Sequence, residues 1–143
     1  MLISTKGRYS LRVMVDLAEH QSDGYIPLKT IAERQDISEK YLESIIKLLV
    51  KGNILSGLRG KGGGYKLMKS PDRYTVGSIL RLTEETLAPV SCLEPGAAAC
   101  ARMADCRTLP LWKELDRIIS SYLDSVTIAD LMRRSSEGND YII

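Results

Sequence analysis

Three cysteines are the side chains of this sequence best suited to chemistry. Cys92, Cys100 and Cys106 follow the spacing C-x7-C-x5-C, and the chain has no other cysteine. Three thiolates on one flexible segment can close around a soft metal ion or an iron–sulphur cluster. A structural zinc with a fourth donor, or three unliganded thiols, are the alternatives. A catalytic thiol is disfavoured because the single histidine, His20, is distant in sequence and no acid–base constellation accompanies it.

A second stretch is suited to binding. Residues 57–66 read GLRGKGGGYK, with glycine at 60, 62, 63 and 64 and bases at Arg59, Lys61 and Lys66. Glycine at this density lets the backbone turn sharply and approach another molecule closely. Apolar runs on either side predict a hairpin whose positive tip suits an anionic polymer, with a hydrated surface turn as the alternative. A nucleotide-cradling loop is disfavoured because Gly62 stands where that motif needs Ser or Thr.

Composition and charge favour a nucleic-acid partner for the first half of the chain. At 143 residues, with 44% hydrophobic and 27% charged residues, the sequence fits one globular domain with an appended arm. Residues 1–75 hold 13 Lys and Arg against 8 Asp and Glu, a net charge of +5, whereas residues 76–143 have a net charge of −3. Positive charge therefore gathers around the glycine-rich tip, as expected of a nucleic-acid face.

The sequence predicts a cytoplasmic protein with no membrane partner. It contains no apolar run of membrane-spanning length, and residues 1–6 lack the apolar core of a secretory signal. An odd number of clustered cysteines is also untypical of a secreted disulfide scaffold and more typical of metal binding or redox sensing.

The elements that must position these groups begin with a helix-turn-helix. Helical spacing of apolar residues predicts helices over 8–20, 28–34 and 39–51, the third capped by Ser38 and ended by Gly52 in the left-handed conformation. A helix pair with a tight turn also occurs in plain bundles. The strand, basic tip and returning strand that follow convert the pattern to a winged helix.

The outward face of the third helix supplies groups that could distinguish base pairs in a major groove. Glu43 is unusual there, because a carboxylate near phosphates is repelled unless it accepts a hydrogen bond from a cytosine amino group. A pair with Lys47 four residues on is the alternative, although we favour a selectivity role. The predicted DNA-binding residues are Ser38, Lys40, Tyr41, Glu43, Ser44, Lys47, Arg59 and Lys61.

The second half reads as a helix, a cysteine-bearing loop and a long amphipathic helix. A helix over 76–85 follows Thr75, and a proline-bounded stretch then leads to a helix that begins at Leu111. The apolar stripe of that helix pairs with a second copy of the chain or joins the intramolecular core, and we favour the dimer. The stripe comprises Leu111, Trp112, Leu115, Ile118, Ile119, Tyr122 and Leu123.

The predicted fold class is mainly α with a small β-hairpin. Residues 127–130 (TIAD) resemble a capping box for a short last helix that ends near Arg134. The predicted organisation is a winged helix-turn-helix domain (1–85), a cluster-binding loop (86–110), a dimerisation helix with the short terminal helix (111–134) and a flexible tail (135–143).

Four motifs resemble the Rrf2-type transcription regulators: residues 4–12 (STKGRYSLR), 37–43 (ISEKYLE), 59–65 (RGKGGGY) and the clustered cysteines. The resemblance spans essentially the whole chain. It implies a homodimeric winged-helix regulator of promoter DNA whose long helix crosses that of its twin. It also implies that the recognition helix reads the major groove while Arg59 and Lys61 enter the minor groove.

Within the family the iron–sulphur members typified by IscR are the most similar. The three cysteines resemble the ligands of their 2Fe–2S cluster, and Glu43 falls on the recognition-helix acid that separates two operator classes. Two departures leave the fourth ligand unassigned: Leu109 stands where those proteins place a histidine, and residues 6–9 (KGRY) lack the acid that nitric-oxide-sensing, NsrR-like members use. The candidates are Glu94, Asp105, His20, a group of the partner chain or an exogenous ligand.

These patterns predict a non-enzymatic, cytoplasmic, dimeric repressor that senses cluster status through a 2Fe–2S cluster and controls cluster-biogenesis genes, with cluster-assembly proteins as donors. Alternatives are an NsrR-like nitric-oxide sensor and a CymR-like regulator of cysteine metabolism, which residues 124–131 resemble but whose group lacks the cysteines. Rivals from other classes are an iron–sulphur electron carrier, which needs no basic wing, and a colourless zinc-stabilised interaction module.

Overall fold

A computed structural model describes residues 1–136 of the chain and shows six helices and one two-stranded hairpin in that range. Single 3-10 turns lie at 21–23, 71–73 and 91–93. None of the described helices is long and apolar enough to cross a membrane. The elements are α1 (Thr5–Glu19), α2 (Leu28–Gln35), α3 (Glu39–Lys51), β1 (Leu55–Leu58), β2 (Gly64–Leu67), α4 (Val76–Thr83), α5 (Leu109–Ser125) and α6 (Ile128–Ser136).

The predicted helix-turn-helix is confirmed as α2 and α3. The turn between them places Asp36 in the left-handed region at a φ of 53°, and its backbone N–H closes α2. Ser38 is the N-cap of α3, where its hydroxyl oxygen accepts a hydrogen bond from the Tyr41 N–H at 3.2 Å. A short polar residue can satisfy a free amide at a helix start, so the sequence fixes where the third helix begins.

The core lies where α1 crosses α2, α3 and the hairpin. Apolar residues at helical spacing on each helix meet there, and burial of this surface is the main force that holds the helices at fixed angles. The fully buried side chains include Val13, Met14, Leu17, Ile31, Leu42, Ile45, Ile46, Leu49, Leu55, Ile79 and Ile128.

The hairpin is antiparallel, with Leu55 opposite Leu67 and Leu58 opposite Gly64. Tyr65 extends the pairing through an isolated bridge to Ile26, so the segment before α2 lies against the hairpin. A two-stranded hairpin is marginal by itself. Here the buried Leu55 and Leu67 anchor its base in the core.

The chain leaves the winged domain along α5 and returns with α6. Only Leu109 of α5 is buried, whereas Ile128 at the start of α6 is inaccessible to solvent and packs in the α1 core. The capping box predicted at the start of α6 is confirmed: the Thr127 N–H donates to the Asp130 carboxylate at 2.9 Å, and the Asp130 N–H donates to the Thr127 hydroxyl at 3.0 Å. Thus α5 is an arm held at both of its ends.

Four predicted details are wrong. The helix α1 begins at Thr5 instead of Arg8, because Ser4 is its N-cap and accepts a hydrogen bond from the Gly7 N–H. Gly52 caps α3 at a φ of −82°, and the left-handed residue is Asn53. A Cβ at Gly52 would lie 2.7 Å from the end of the Leu82 side chain, which would have to move aside. The helix α5 begins at Leu109 because Pro110 fits its first turn, where no amide partner is needed. The helix α4 ends at Thr83, before Glu84 turns to an extended conformation. The predicted tail lies, from residue 137 onward, outside the described residues.

Candidate nucleic-acid interface and cysteine loop

The outward face of α3 is the first part of the candidate site. Its buried residues hold the opposite face in the core, which leaves the predicted binding residues at the surface. Ser38, Lys40, Glu43 and Lys47 are exposed, whereas Tyr41 and Ser44 are half-buried. The Ser44 hydroxyl donates to the Tyr41 carbonyl at 2.6 Å, within its own helix.

Glu43 and Lys47 form an ion pair one turn apart on this face. The carboxylate and ammonium groups are 3.7 Å apart, and their side chains are 55% and 76% exposed. Such a pair contributes only about 0.3–0.5 kcal/mol because water screens it. Glu43 can therefore exchange this partner for a base edge, and Lys47 can exchange it for a phosphate, at little cost.

The tip of the hairpin, the wing, carries Arg59 and Lys61, both exposed. Its turn needs glycine at positions 60 and 62, where φ values of 89° and 78° lie in the left-handed region that other residues rarely adopt. The space around both positions is open, since no atom lies within 4 Å of a Cβ built there. Gly64 serves the fold itself, since a Cβ there would lie 2.2 Å from the carbonyl oxygen of Ile26. Gly60 and Gly62 thus leave the tip without side chains, and Gly64 lets the wing pack closely against the segment before α2.

A groove of about 510 Å³ joins the recognition helix to the wing. Glu43, Lys47 and Lys51 of α3 line one side, and Leu58 with Arg59 of the wing line the other. The structure therefore brings the predicted selectivity acid and a predicted wing base to one continuous surface. Lys61 lies beyond this groove, at the free end of the wing.

The cysteine loop (residues 86–108) forms the second candidate site. Cys92 lies in a single 3-10 turn and is half-buried, Cys100 is exposed, and Cys106 is half-buried two residues before α5. All three are free thiols. The Thr108 side chain and the backbone N–H groups at the start of α5 hydrogen-bond the Cys106 sulphur and lower the pKa of its thiol. This environment favours the thiolate, the form of cysteine that binds metals.

The cysteine loop has suitable donor groups for a metal or cluster, but its side chains are not gathered around one point. Three unpaired thiols, one of them favoured as a thiolate, match the donor chemistry of iron–sulphur clusters. Within residues 1–136, however, no three His, Cys, Asp or Glu side chains form a group that could hold a metal ion. Because residues 94–108 are exposed except for the half-buried Cys106, the loop can close around a group with little loss of packing.

The candidate fourth ligands differ in their surroundings. Glu94 and Asp105 are exposed within the loop. His20, by contrast, ends α1, where its Nδ1 lies 2.7 Å from the Asp16 carbonyl oxygen. Leu109 is buried as the first residue of α5.

Polar contacts that sequence reasoning missed lie just before the loop, where they tie Glu84 to the start of α1 and Arg81 of α4 to α5. Glu84, just before the loop, accepts hydrogen bonds from the Ser4 N–H at 3.0 Å and the Ser4 hydroxyl at 2.8 Å, at the N-cap of α1. Arg81 of α4 forms a two-pronged ion pair with Asp124 of α5, at 2.6 and 3.0 Å. This pairing lowers the pKa of Asp124.

The arm α5 exposes a regular apolar stripe. Leu111, Leu115, Ile118 and Tyr122 recur three and four residues apart, and they are 58%, 36%, 49% and 56% exposed. Four large apolar side chains in line on one exposed face form the kind of patch that marks an interaction surface. The described part of a single chain does not cover it.

Comparison with known sequences places this arrangement among transcription regulators. A family model described as "Rrf2: Iron-dependent Transcriptional regulator" matches residues 3–134. The HTH-type transcriptional regulator IscR of Aliivibrio salmonicida is 38% identical over 132 residues, which cover 92% of this chain and 77% of the relative. IscR of Yersinia pestis is also 38% identical over 132 residues and is covered to 79%.

Solved structures give the same result. The IscR of T. potens has a TM-score of 0.76 and 34% identity, covering all of this chain and 94% of the other. CymR, the global cysteine regulator of B. subtilis, has a TM-score of 0.78 and 36% identity, covering 93% and 97% of the two chains. The mainly helical fold with its hairpin wing is therefore shared with regulators of both names.

Proposed function

This chain belongs to the Rrf2 family of DNA-binding transcription regulators, and from that premise we propose that it is a cytoplasmic, homodimeric repressor that senses cluster status through a 2Fe–2S cluster. The proposed ligands are Cys92, Cys100 and Cys106, with a fourth ligand from elsewhere. The observation that carries the proposal is that all three free thiols lie on the loop that joins the winged domain to its exposed apolar arm.

The DNA contacts are proposed for two elements that share one groove. Arg59 and Lys61 of the wing suit a minor groove, and the first turns of α3 suit a major groove. Glu43 and Lys47 line the same groove as Arg59, so one docking pose can engage both elements. Lys40 and Lys47 add charge that attracts the phosphates without reading sequence.

The dimer is proposed through α5. Its exposed stripe continues for three turns, and a second copy of the same stripe would bury it with self-complementary contacts. Two winged domains joined this way would meet two half-sites of one duplex. The domain division proposed above follows from this role of α5, although α6 packs on the winged domain of its own chain.

The cluster would supply a centre whose redox state and presence respond to iron supply and oxidants. The chain would supply thiolates, and the N–H groups at the start of α5 would stabilise negative charge on Cys106. Cluster-assembly proteins are the proposed donors. The exposed Cys100 gives them access to the loop.

Coupling to DNA is proposed through the contacts at the ends of the loop. Closing the loop would pull on Glu84 and on the start of α5. Glu84 holds the N-cap of α1, and Arg81 holds α5, so both movements would reach the helices that carry α3. A population shift between two poses of α3 would then alter operator affinity.

The test is the visible absorption spectrum of the protein purified without oxygen, with iron, sulphide and zinc measured on the same sample. We expect two irons and two sulphides per chain and absorption in the visible region. Single Cys92→Ser, Cys100→Ser and Cys106→Ser variants should lose the colour, and Ser91→Ala is the matched control. A colourless protein that holds zinc, or none of these metals, would refute the cluster.

A CymR-like regulator of cysteine metabolism is the second candidate. The similarity to CymR over 93% of this chain supports it. It requires no cluster, so the same metal analysis separates the two candidates.

A further inference from the structure

A stack of three side chains links α1 to the start of the recognition helix. The Tyr9 ring of α1 meets the Tyr41 ring of α3 edge-on, with centroids 5.9 Å apart and planes at 87°. The guanidinium carbon of Arg12 lies 4.9 Å from the centroid of Tyr9. Edge-to-face rings and a cation over a ring face are both attractive arrangements. Tyr9 is therefore held on two sides.

The stack is anchored in a buried carboxylate. Arg12 donates from Nε to the Gln35 side-chain oxygen at 3.2 Å, and a second guanidinium nitrogen donates to the Gln35 carbonyl. Gln35 in turn donates to Asp16 at 2.9 Å. Asp16 is 3% exposed and binds Arg34 of α2 through both carboxylate oxygens. The last residues of α2 thus fix Arg12.

Tyr41 lies where a recognition helix touches bases. It is the third residue of α3, its N–H is bonded to the Ser38 cap, and its side chain is half-buried. The contact with Tyr9 limits the orientations of the ring before DNA arrives. A ring already held in its binding orientation loses less freedom when the complex forms.

We propose that Tyr9 and Arg12 are positioning residues that hold the Tyr41 ring in the orientation it uses against the duplex, and so set base-pair discrimination by the first turn of α3. This inference rests on the proposed contact of Tyr41 with DNA. Tyr9 acts through Tyr41. Arg12 acts through Tyr9, since its guanidinium lies against the Tyr9 ring while two of its nitrogens donate to Gln35 of α2.

The experiment first selects duplexes from a randomised library with the full-length protein. Affinity is then measured for the selected duplex and for versions with single base-pair changes, over a range of salt concentrations. The variants are Tyr9→Leu, Tyr9→Phe and Arg12→Met, each alone and combined with Tyr41→Ala. Thermal unfolding of every variant is recorded separately, because a purely structural role would lower stability and leave discrimination intact.

We expect Tyr9→Leu to weaken binding about 3- to 10-fold, the scale of one aromatic pair, and to reduce discrimination at the same base pairs as Tyr41→Ala. Tyr9→Phe should retain both the affinity and the discrimination of the wild-type protein, since it keeps the ring. In the Tyr41→Ala background Tyr9→Leu should change affinity less than 2-fold. An undiminished effect in that background, or full discrimination in Tyr9→Leu, would overturn the inference.

Arg12→Met gives the second test, at an exposed position. Its thermal unfolding separates loss of the Gln35 hydrogen bonds from an effect on binding. The substitution should weaken binding, as Tyr9→Leu does, and leave unchanged the slope of log affinity against log salt concentration. A slope reduced by about one would identify Arg12 as a phosphate contact and contradict the positioning role. If the wild-type protein selects no duplex, the proposed DNA contacts of α3 fail as a whole. Loss of the Tyr9–Tyr41 coupling alone leaves them standing.

Discussion

At the level of single residues, the groove between α3 and the wing presents an acid and a base side by side. Arg59 and Glu43 line it together, and both side chains are exposed. The proposed roles differ in kind: the guanidinium attracts any duplex, whereas the carboxylate repels phosphates and selects among bases. Mutations at these two positions should therefore have different signatures.

Replacing Arg59 by alanine should weaken DNA binding at every sequence tested. The lost charge should also lower the slope of log affinity against log salt by about one, because one phosphate contact disappears. Anisotropy titrations at several salt concentrations measure both quantities. Lys113→Ala, which removes an exposed charge from α5, is the matched control. If neither the affinity nor the slope changed, the wing would not be in contact with DNA.

Replacing Glu43 by alanine should broaden operator choice. Discrimination of about 1–3 kcal/mol at the contacted base pair should be lost, while affinity for other sequences stays equal or rises. The loss of the ion pair with Lys47 costs little stability, because both groups are largely exposed. Binding to a panel of operator variants, with Glu33→Ala of α2 as control, measures the effect. An unchanged ranking of the panel would remove Glu43 from selectivity.

At the level of elements, Glu84 connects the segment that leads into the cysteine loop to α1, the helix that packs against α2 and α3. It lies after α4 and holds Ser4 at the N-cap of α1 through two hydrogen bonds. Gly7 leaves room for this side chain, since a Cβ there would lie 2.1 Å from a Glu84 carboxylate oxygen and would displace it. A movement of the loop can therefore be passed directly to α1.

In a Glu84→Ala variant, the difference in DNA affinity between the cluster-loaded and cluster-free protein should shrink to less than 2-fold. The variant keeps the cysteines but loses the link to Ser4. The exposed neighbour Glu85 supplies the control, because Glu85→Ala removes the same charge without that link. DNA titrations of each variant, with and without the cluster, measure this difference in affinity. A full response to cluster loss in Glu84→Ala would exclude this route.

The sequence predicted those elements whose determinants, such as a helix cap or apolar spacing, lie within a few residues of one another. Ser38 and the apolar spacing of α3 predicted that helix from Glu39 to Lys51, as observed. The left-handed conformation predicted for Gly52 is wrong because the chain adopts it one residue later, at Asn53. The contact between Tyr9 and Tyr41 could not be predicted either, because the two residues are distant in sequence and meet only in the folded chain. Both residues nevertheless lie within motifs that indicated the family.

At the level of the whole molecule, α6 packs on the winged domain of its own chain, and α5 is left as an arm. Ile128 of α6 fills the α1 core, whereas Leu115 and Ile118 of α5 remain at the surface. One chain therefore satisfies its core without covering its stripe. That arrangement favours a second copy as the partner of α5.

Replacing Ile118 by glutamate should separate the two copies, because it places a charge in the middle of the proposed apolar contact. Sedimentation at micromolar concentration should show single chains. Affinity for a two-half-site duplex should fall by at least about 100-fold, since the linked second contact is lost. Lys113→Glu, on the other side of α5 by helical spacing, should leave both unchanged. A dimer that survives Ile118→Glu would place the contact elsewhere.

The most direct test of the account is the mass of the complex that the wild-type protein forms with a selected duplex, measured by sedimentation at modest salt concentration. Two half-sites and a dimer joined through α5 predict two chains per duplex, and two chains in the absence of DNA. A single chain in solution that does not sediment with the duplex would contradict the account.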